Sequence, residues 1–193
     1  YYPKMLAAIP FTPATGPRLL TGAATGARRQ QLIRGLANGM AQYVDKLQLS
    51  SAHVNFLPSE DANTLVDEGW LLRHSIQFHW HNDGYHCFDD FLASLSSRKR
   101  KNIRKERQSL VDAGVRMLPL IGAAIESHHI DAFYRFYMST IDRKWGGAYL
   151  TREVFEILHA TMADRMLLVM AEYQGRIIGG ALNFIGGTTL YGR

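Results

Sequence analysis

The chain has 193 residues, enough for one ordinary domain or two small ones, and 47% of them are hydrophobic against 20% charged. That balance supplies a core and excludes a disordered chain. The single cysteine, Cys87, excludes an internal disulfide, and no run reaches the roughly 20 apolar residues that span a bilayer.

The formal charge of +5 is concentrated in one place. Residues 98–107 read Arg-Lys-Arg-Lys-Asn-Ile-Arg-Lys-Glu-Arg, a local +6 that leaves −1 for the remainder of the chain. One segment is therefore basic, not the surface as a whole, which points to a localised anionic partner.

In chain order, residues 4–11 are short, apolar and stopped by Pro10, which reads as a buried strand. Residues 12–26 carry two prolines and three glycines and read as loop, with a brief strand at Arg18-Leu19-Leu20. From Ala27 to about Leu47, Leu32, Ile33, Leu36, Met40, Val44 and Leu47 recur every three or four residues, which predicts an amphipathic helix. Residues 52–57 alternate and predict a strand. A short helix to about Glu68 follows, stopped by Gly69. Trp70–Trp80 reads as a strand or a bent pair of strands, and Asn82-Asp83-Gly84 as a turn.

Residues 87–113 predict one continuous helix. Asp89 and Asp90 stand at its start, Phe91, Leu92, Leu95, Ile103, Leu110 and Val111 lie along one side, and Gly114 follows its end. A strand over 115–120, helices over 126–142 and 151–164, and a closing meander complete the chain. In the meander, Leu167–Tyr173 and Ile177–Ile185 pair through Gln174-Gly175, and Thr188–Tyr191 follows.

Several segments together resemble the FemAB-like N-acyltransferases, described earlier as peptidoglycan biosynthesis or recognition proteins. They are Phe78-His79-Trp80-His81-Asn82, Phe88-Asp89-Asp90-Phe91-Leu92, Ser96 to Lys101 and Ile103 to Arg107. Similar too are the opening Tyr1 to Lys4, Pro10 to Pro13 and Gly16 to Leu20, and the closing Gly175 to Leu182 and Leu190 to Arg193. The resemblance implies an α/β fold of two tandem acyl-CoA N-acyltransferase (GNAT-like) domains, with mixed, mostly antiparallel sheets flanked by helices. Residues 1–86 would be the C-terminal part of the first domain and 87–193 the N-terminal part of the second. It further implies a cytoplasmic enzyme that moves an acyl or aminoacyl group from acyl-CoA or aminoacyl-tRNA to an amine. The donor site would be incomplete in this chain, which is therefore expected to be inactive alone.

The expected site residues fall in three places. On the basic helix, Arg100, Arg104, Lys105 and Arg107 offer bidentate and point-charge contacts to phosphate or carboxylate. Removing Arg100, Arg104 and Arg107 together is expected to abolish most anion binding and leave the fold intact. The opposing reading is a solvated helix with paired arginines, and a further one is a nucleic-acid or polyanion-binding module. Trp80, His81 and Asn82 form a second place, suited to a cleft. Gly22 and Gly26 form a third, before a helix start where backbone N–H groups could hold a pyrophosphate, although the flexible-loop reading is the stronger there. His79, His81 and His86 offer no fixed ligand spacing, so no metal is expected. For the base and the oxyanion donors, Asp142, Arg143, Lys144 and Trp145 at a helix end and Glu172 on a strand are the candidates; the sequence does not choose among them, and a surface salt bridge is the stronger reading of Asp142 and Arg143.

Overall fold

A computed structural model describes residues 3–10, 12–144 and 147–192. The chain divides into two compact units, Tyr1–Trp80 and His81–Arg193; the boundary read from the sequence lies at 86/87.

In the first unit, β1 (Met5–Ala7) pairs in parallel with β2 (Ala52–Val54), Met5 opposite Ala52. Parallel neighbours need a crossover, and α1 (Gly26–Lys46) supplies it. Of the predicted apolar series Ile33 is fully buried, beside Ala37, Leu19 and Leu65, whereas Leu36 and Leu47 are exposed. α2 (Ser59–Asp67) ends where Gly69 takes φ +85°, and the Trp70 N–H closes back on the Leu65 carbonyl at 3.0 Å.

Two strand expectations fail here. Arg18-Leu19-Leu20 is not a strand: Leu19 is buried, while the Arg18 side chain ties the loop by bonding the Asn55 and Ala14 carbonyls. Residues 70–80 also join no ladder among the described residues, and Leu71, Ile76 and Phe78 are 94%, 84% and 98% exposed. Alternation states only which side chains share a face; a strand also needs a neighbour for its backbone groups.

The second unit is built on an antiparallel sheet ordered β3-β4-β5-β6: Val115–Ile121, Met166–Tyr173, Arg176–Gly186 and Thr189–Gly192. β4 and β5 pair as expected through Gln174-Gly175, with Tyr173 opposite Arg176. Both turn residues lie at positive φ, 49° and 72°, the geometry whose twist matches the flanking strands. Ala171 faces Gly179 while Glu172 faces Ile177, so Ile178 is an extra residue that bulges β5.

One sheet face presents Met166, Leu168, Met170 and Leu182 to α5 (Ser127–Asp142) and α6 (Arg152–Met162), where Ile130, Ala132 and Phe155 complete the core. Burying each of the large members contributes about 1.5–3 kcal/mol. Gly180 opposes Met170, and a β-carbon there would lie 2.7 Å from the Met170 sulfur and 3.5 Å from the Phe133 ring. A side chain at that position would require the Met170 thioether to shift, while its contact with Phe133 of α5 would be of ordinary length.

The continuous helix over 87–113 is corrected. The structure has α3 (Phe88–Ser94) and α4 (Ser97–Asp112), with Leu95 and Ser96 extended between them. Serines favour such a break, because their hydroxyls compete for backbone partners: Ser94 Oγ donates to the Phe91 carbonyl at 2.8 Å. Apolar spacing carried across the break, and it could not distinguish one long helix from two that fold back.

Candidate functional site

α4 carries all seven cations of the basic segment, and the structure separates them into two sets. Arg100 points back at the end of α3, its guanidinium 3.4, 3.3 and 3.5 Å from the carbonyls of Leu92, Ala93 and Leu95. Arg104 reaches Asp89 at 3.4 Å, and Arg107 lies over the Phe88 ring at 4.4 Å. Advancing along α4 therefore retreats along α3. α4 thus folds back along α3, and Leu92 of α3 is buried. These three arginines contact α3, so their joint removal bears on the α3–α4 pair as well as on anion binding.

The second set is Arg98, Lys99, Lys101 and Lys105. All four are exposed and, among the described residues, make no hydrogen bond or ion pair. Arg98, Lys101 and Lys105 stand three and four residues apart and so share a face about 10 Å long. Three of the four lie in or beside the first turn of α4, which contains no acidic residue and whose Ser96 cap makes no side-chain hydrogen bond. Cations at the positive end of a helix dipole cost roughly 0.3–1 kcal/mol each, and an anion placed there relieves that repulsion and meets free backbone N–H groups. Of the site residues expected on this helix, only Lys105 belongs to the uncommitted face. Arg98 and Lys101 were missed as site residues because partners, which the sequence does not display, decide which cations are free.

Asn82 is engaged locally: its side-chain oxygen accepts the Tyr85 N–H at 2.7 Å and its amide donates to the Tyr85 carbonyl at 3.2 Å. That is a turn-forming role. Trp80 closes the first unit, 63% exposed, and His81 opens the second, also exposed. Downstream, His86 and Cys87 donate their backbone N–H groups to Asp90 Oδ2 at 2.9 and 3.2 Å. The His86 bond, with those from the Cys87 side chain and backbone, holds the Asp90 carboxyl below its usual pKa.

In the first unit, Gly22 and Gly26 have φ of +62° and +52°, and a β-carbon on either would meet nothing within 4 Å. The backbone conformation, not close packing, calls for glycine there. The neighbouring cations are taken: Arg28 bonds Gln31 at 2.8 Å, and Arg29 bonds the fully buried Asp61 at 2.6 Å.

Of the residues considered for the base, Glu172 lies beside the β5 bulge, 3.4 Å from Arg116 on β3. Asp142 ends α5 and is exposed, with Arg143 and Lys144 after it; Trp145 lies outside the described residues. Among the described residues, no three His, Cys, Asp or Glu side chains gather as a metal site, and no helix is long and apolar enough to cross a membrane.

No curated protein and no solved structure matches the chain. The family model FemAB-like, described as peptidoglycan biosynthesis/recognition, matches residues 1–193, the whole chain. The chain belongs to the FemAB-like family.

Proposed function

We propose that this chain is part of an N-acyltransferase that passes an acyl or aminoacyl group to an amine during peptidoglycan biosynthesis, with the anionic portion of a substrate held on the free face of α4. The observation that carries the reading is the partition of α4: three arginines hold α3, while Arg98, Lys99, Lys101 and Lys105 are left without partners among the described residues. Family membership supports the peptidoglycan context. The antiparallel hairpin β4–β5 with its bulge, packed on α5 and α6, is compatible with the acyl-CoA N-acyltransferase fold in the second unit. We place the reaction in the cytoplasm, where acyl-CoA and aminoacyl-tRNA are both available.

The chemistry asks for three things. The amine nitrogen attacks the acyl carbonyl carbon, a hydrogen-bond donor steadies the oxyanion, and the thiol or ribose hydroxyl leaves as the amine gives up its proton to a base. Glu172 is our choice for that base, since it stands at a bulge, where sheets commonly re-aim side chains toward a site. Arg116 orients it.

The test is binding of a bisubstrate analogue, with an alkylamine joined through its acyl group to coenzyme A, beside coenzyme A alone and aminoacyl-tRNA. Salt-sensitive binding of the analogue and of coenzyme A, through their phosphates, is expected for an anion site on the free face of α4. A preference for aminoacyl-tRNA over the uncharged tRNA identifies the aminoacyl form of the reaction. If neither donor class binds, the reading is wrong.

A further inference from the structure

Helix α5 starts on a histidine contact. Glu126 precedes the helix with extended backbone (φ −107°, ψ 162°), and His129, the third helical residue, turns its ring back toward it. The His129 Nδ1 accepts the Glu126 backbone N–H at 3.0 Å. A ring nitrogen that accepts carries no proton, so the contact requires a neutral imidazole with its hydrogen on Nε2. His129 is 7% exposed, and its chain neighbours Ile125 and Ile130 both belong to the core of the second unit.

We propose that His129 is an acid-sensitive cap, and that its protonation opens the first turn of α5 and the edge of the core beneath it. Once protonated, Nδ1 becomes a donor facing the Glu126 N–H, itself a donor, and the bond is replaced by repulsion. The new charge would also lie at the positive end of the α5 dipole.

The surrounding groups favour the neutral ring. Burial holds the His129 pKa below the usual 6.5, His128 adds to that, and Glu126 works against it. The His128 ring is 3.8 Å away between centroids, and its Nδ1 is 3.3 Å from the Glu126 carboxylate, so His128 gains a partner on protonation. From α6, His159 donates Nε2–H to the Ile125 carbonyl at 2.8 Å, a contact that protonation leaves intact. Asp131 is held by Arg152 at 2.6 Å, and Asp164 lies against Gly122. His129 is thus the histidine of this cluster whose contact acid destroys.

The sign follows from linkage. A histidine whose pKa is depressed on folding binds its proton more readily in the unfolded chain, so its contribution is complete above about 6.5 and is lost as pH falls from there to the folded value. The experiment is denaturant unfolding from about pH 7.5 to about pH 5 for wild type, His129→Gln and His128→Gln. Glutamine at 129 can still accept the Glu126 N–H, but it does not titrate. Wild type and His128→Gln should lose stability below about pH 6.5, and His129→Gln should lose less than half as much. Nitrogen NMR of wild-type histidines gives a second readout that needs no variant: an unprotonated Nδ1 on His129 at neutral pH, titrating below the usual 6.5. Equal acid loss in His129→Gln, or a His129 that titrates at or above 6.5, overturns the proposal.

Discussion

The Arg100 guanidinium sits 3.3 Å from the Ala93 carbonyl and 3.4 Å from that of Leu92, so a cation of α4 caps the end of α3. The last carbonyls of a helix have no intrahelical partners, and a cationic donor satisfies several at once. With Arg104 and Arg107, this contact holds α4 folded back along α3 after the break at Leu95 and Ser96.

Arg100→Ala should therefore loosen α3 specifically. A lost charged hydrogen bond costs about 1.5–3 kcal/mol, and the lengths here put the cost near the bottom of that range. Hydrogen exchange is the measurement: amides of Phe91 to Leu95 should exchange faster, with β4 and β5 unchanged. Uniform acceleration across the second unit would contradict the assignment.

The buried Asp61 makes the same kind of demand in the first unit. Its Oδ1 bonds Arg29 at 2.6 Å, while Oδ2 and the Arg29 Nη1 are buried without a hydrogen bond among the described residues. Asp61→Ala leaves Arg29 only the exposed Glu60 carboxylate at 3.7 Å and should cost about 3 kcal/mol, the lower end for breaking a buried pair because Arg29 is a quarter exposed. Denaturant melting of the variant reads this directly. A change under about 1 kcal/mol would mean that the pair is not sealed.

The turn between β4 and β5 can be improved. Gln174 occupies φ 49°, where asparagine or glycine is preferred, and Gly175 occupies 72°. Gln174→Asn should stabilise by a few tenths of a kcal/mol, whereas Gly175→Ala should cost about 1–2 kcal/mol for a forced left-handed residue. Opposite signs in the two unfolding midpoints are expected, and matching signs would rule out this turn geometry.

Local pattern carried much of the fold. The amphipathic spacing from Leu32 to Val44 marks α1, and Gln174-Gly175 between two apolar runs marks the β4–β5 hairpin. What failed depended on neighbours. Residues 70–80 alternate like a strand but meet no ladder among the described residues, and 87–113 keeps helical spacing through a break that Arg100 holds. The candidate site was half legible for the same reason. Charge density located α4, but Arg104 and Arg107 could be set aside only once Asp89 and Phe88 were seen beside them. Arg98 and Lys101 look no different from those two in the sequence.

The measurement that tests the account most directly is a salt titration of donor binding to three proteins: wild type, Arg98→Gln/Lys101→Gln/Lys105→Gln, and Arg104→Gln/Arg107→Gln. Three lost phosphate contacts should lower the slope of log K on log salt by roughly two to three with tRNA, and weaken coenzyme A binding, while the unfolding midpoint stays within about 0.5 kcal/mol of wild type. The Arg104/Arg107 variant should show the reverse, a looser α3 with nearly wild-type binding. Donor binding that survives loss of Arg98, Lys101 and Lys105 but disappears with Arg104 and Arg107 would contradict the assignment of the free face of α4 as the anion site.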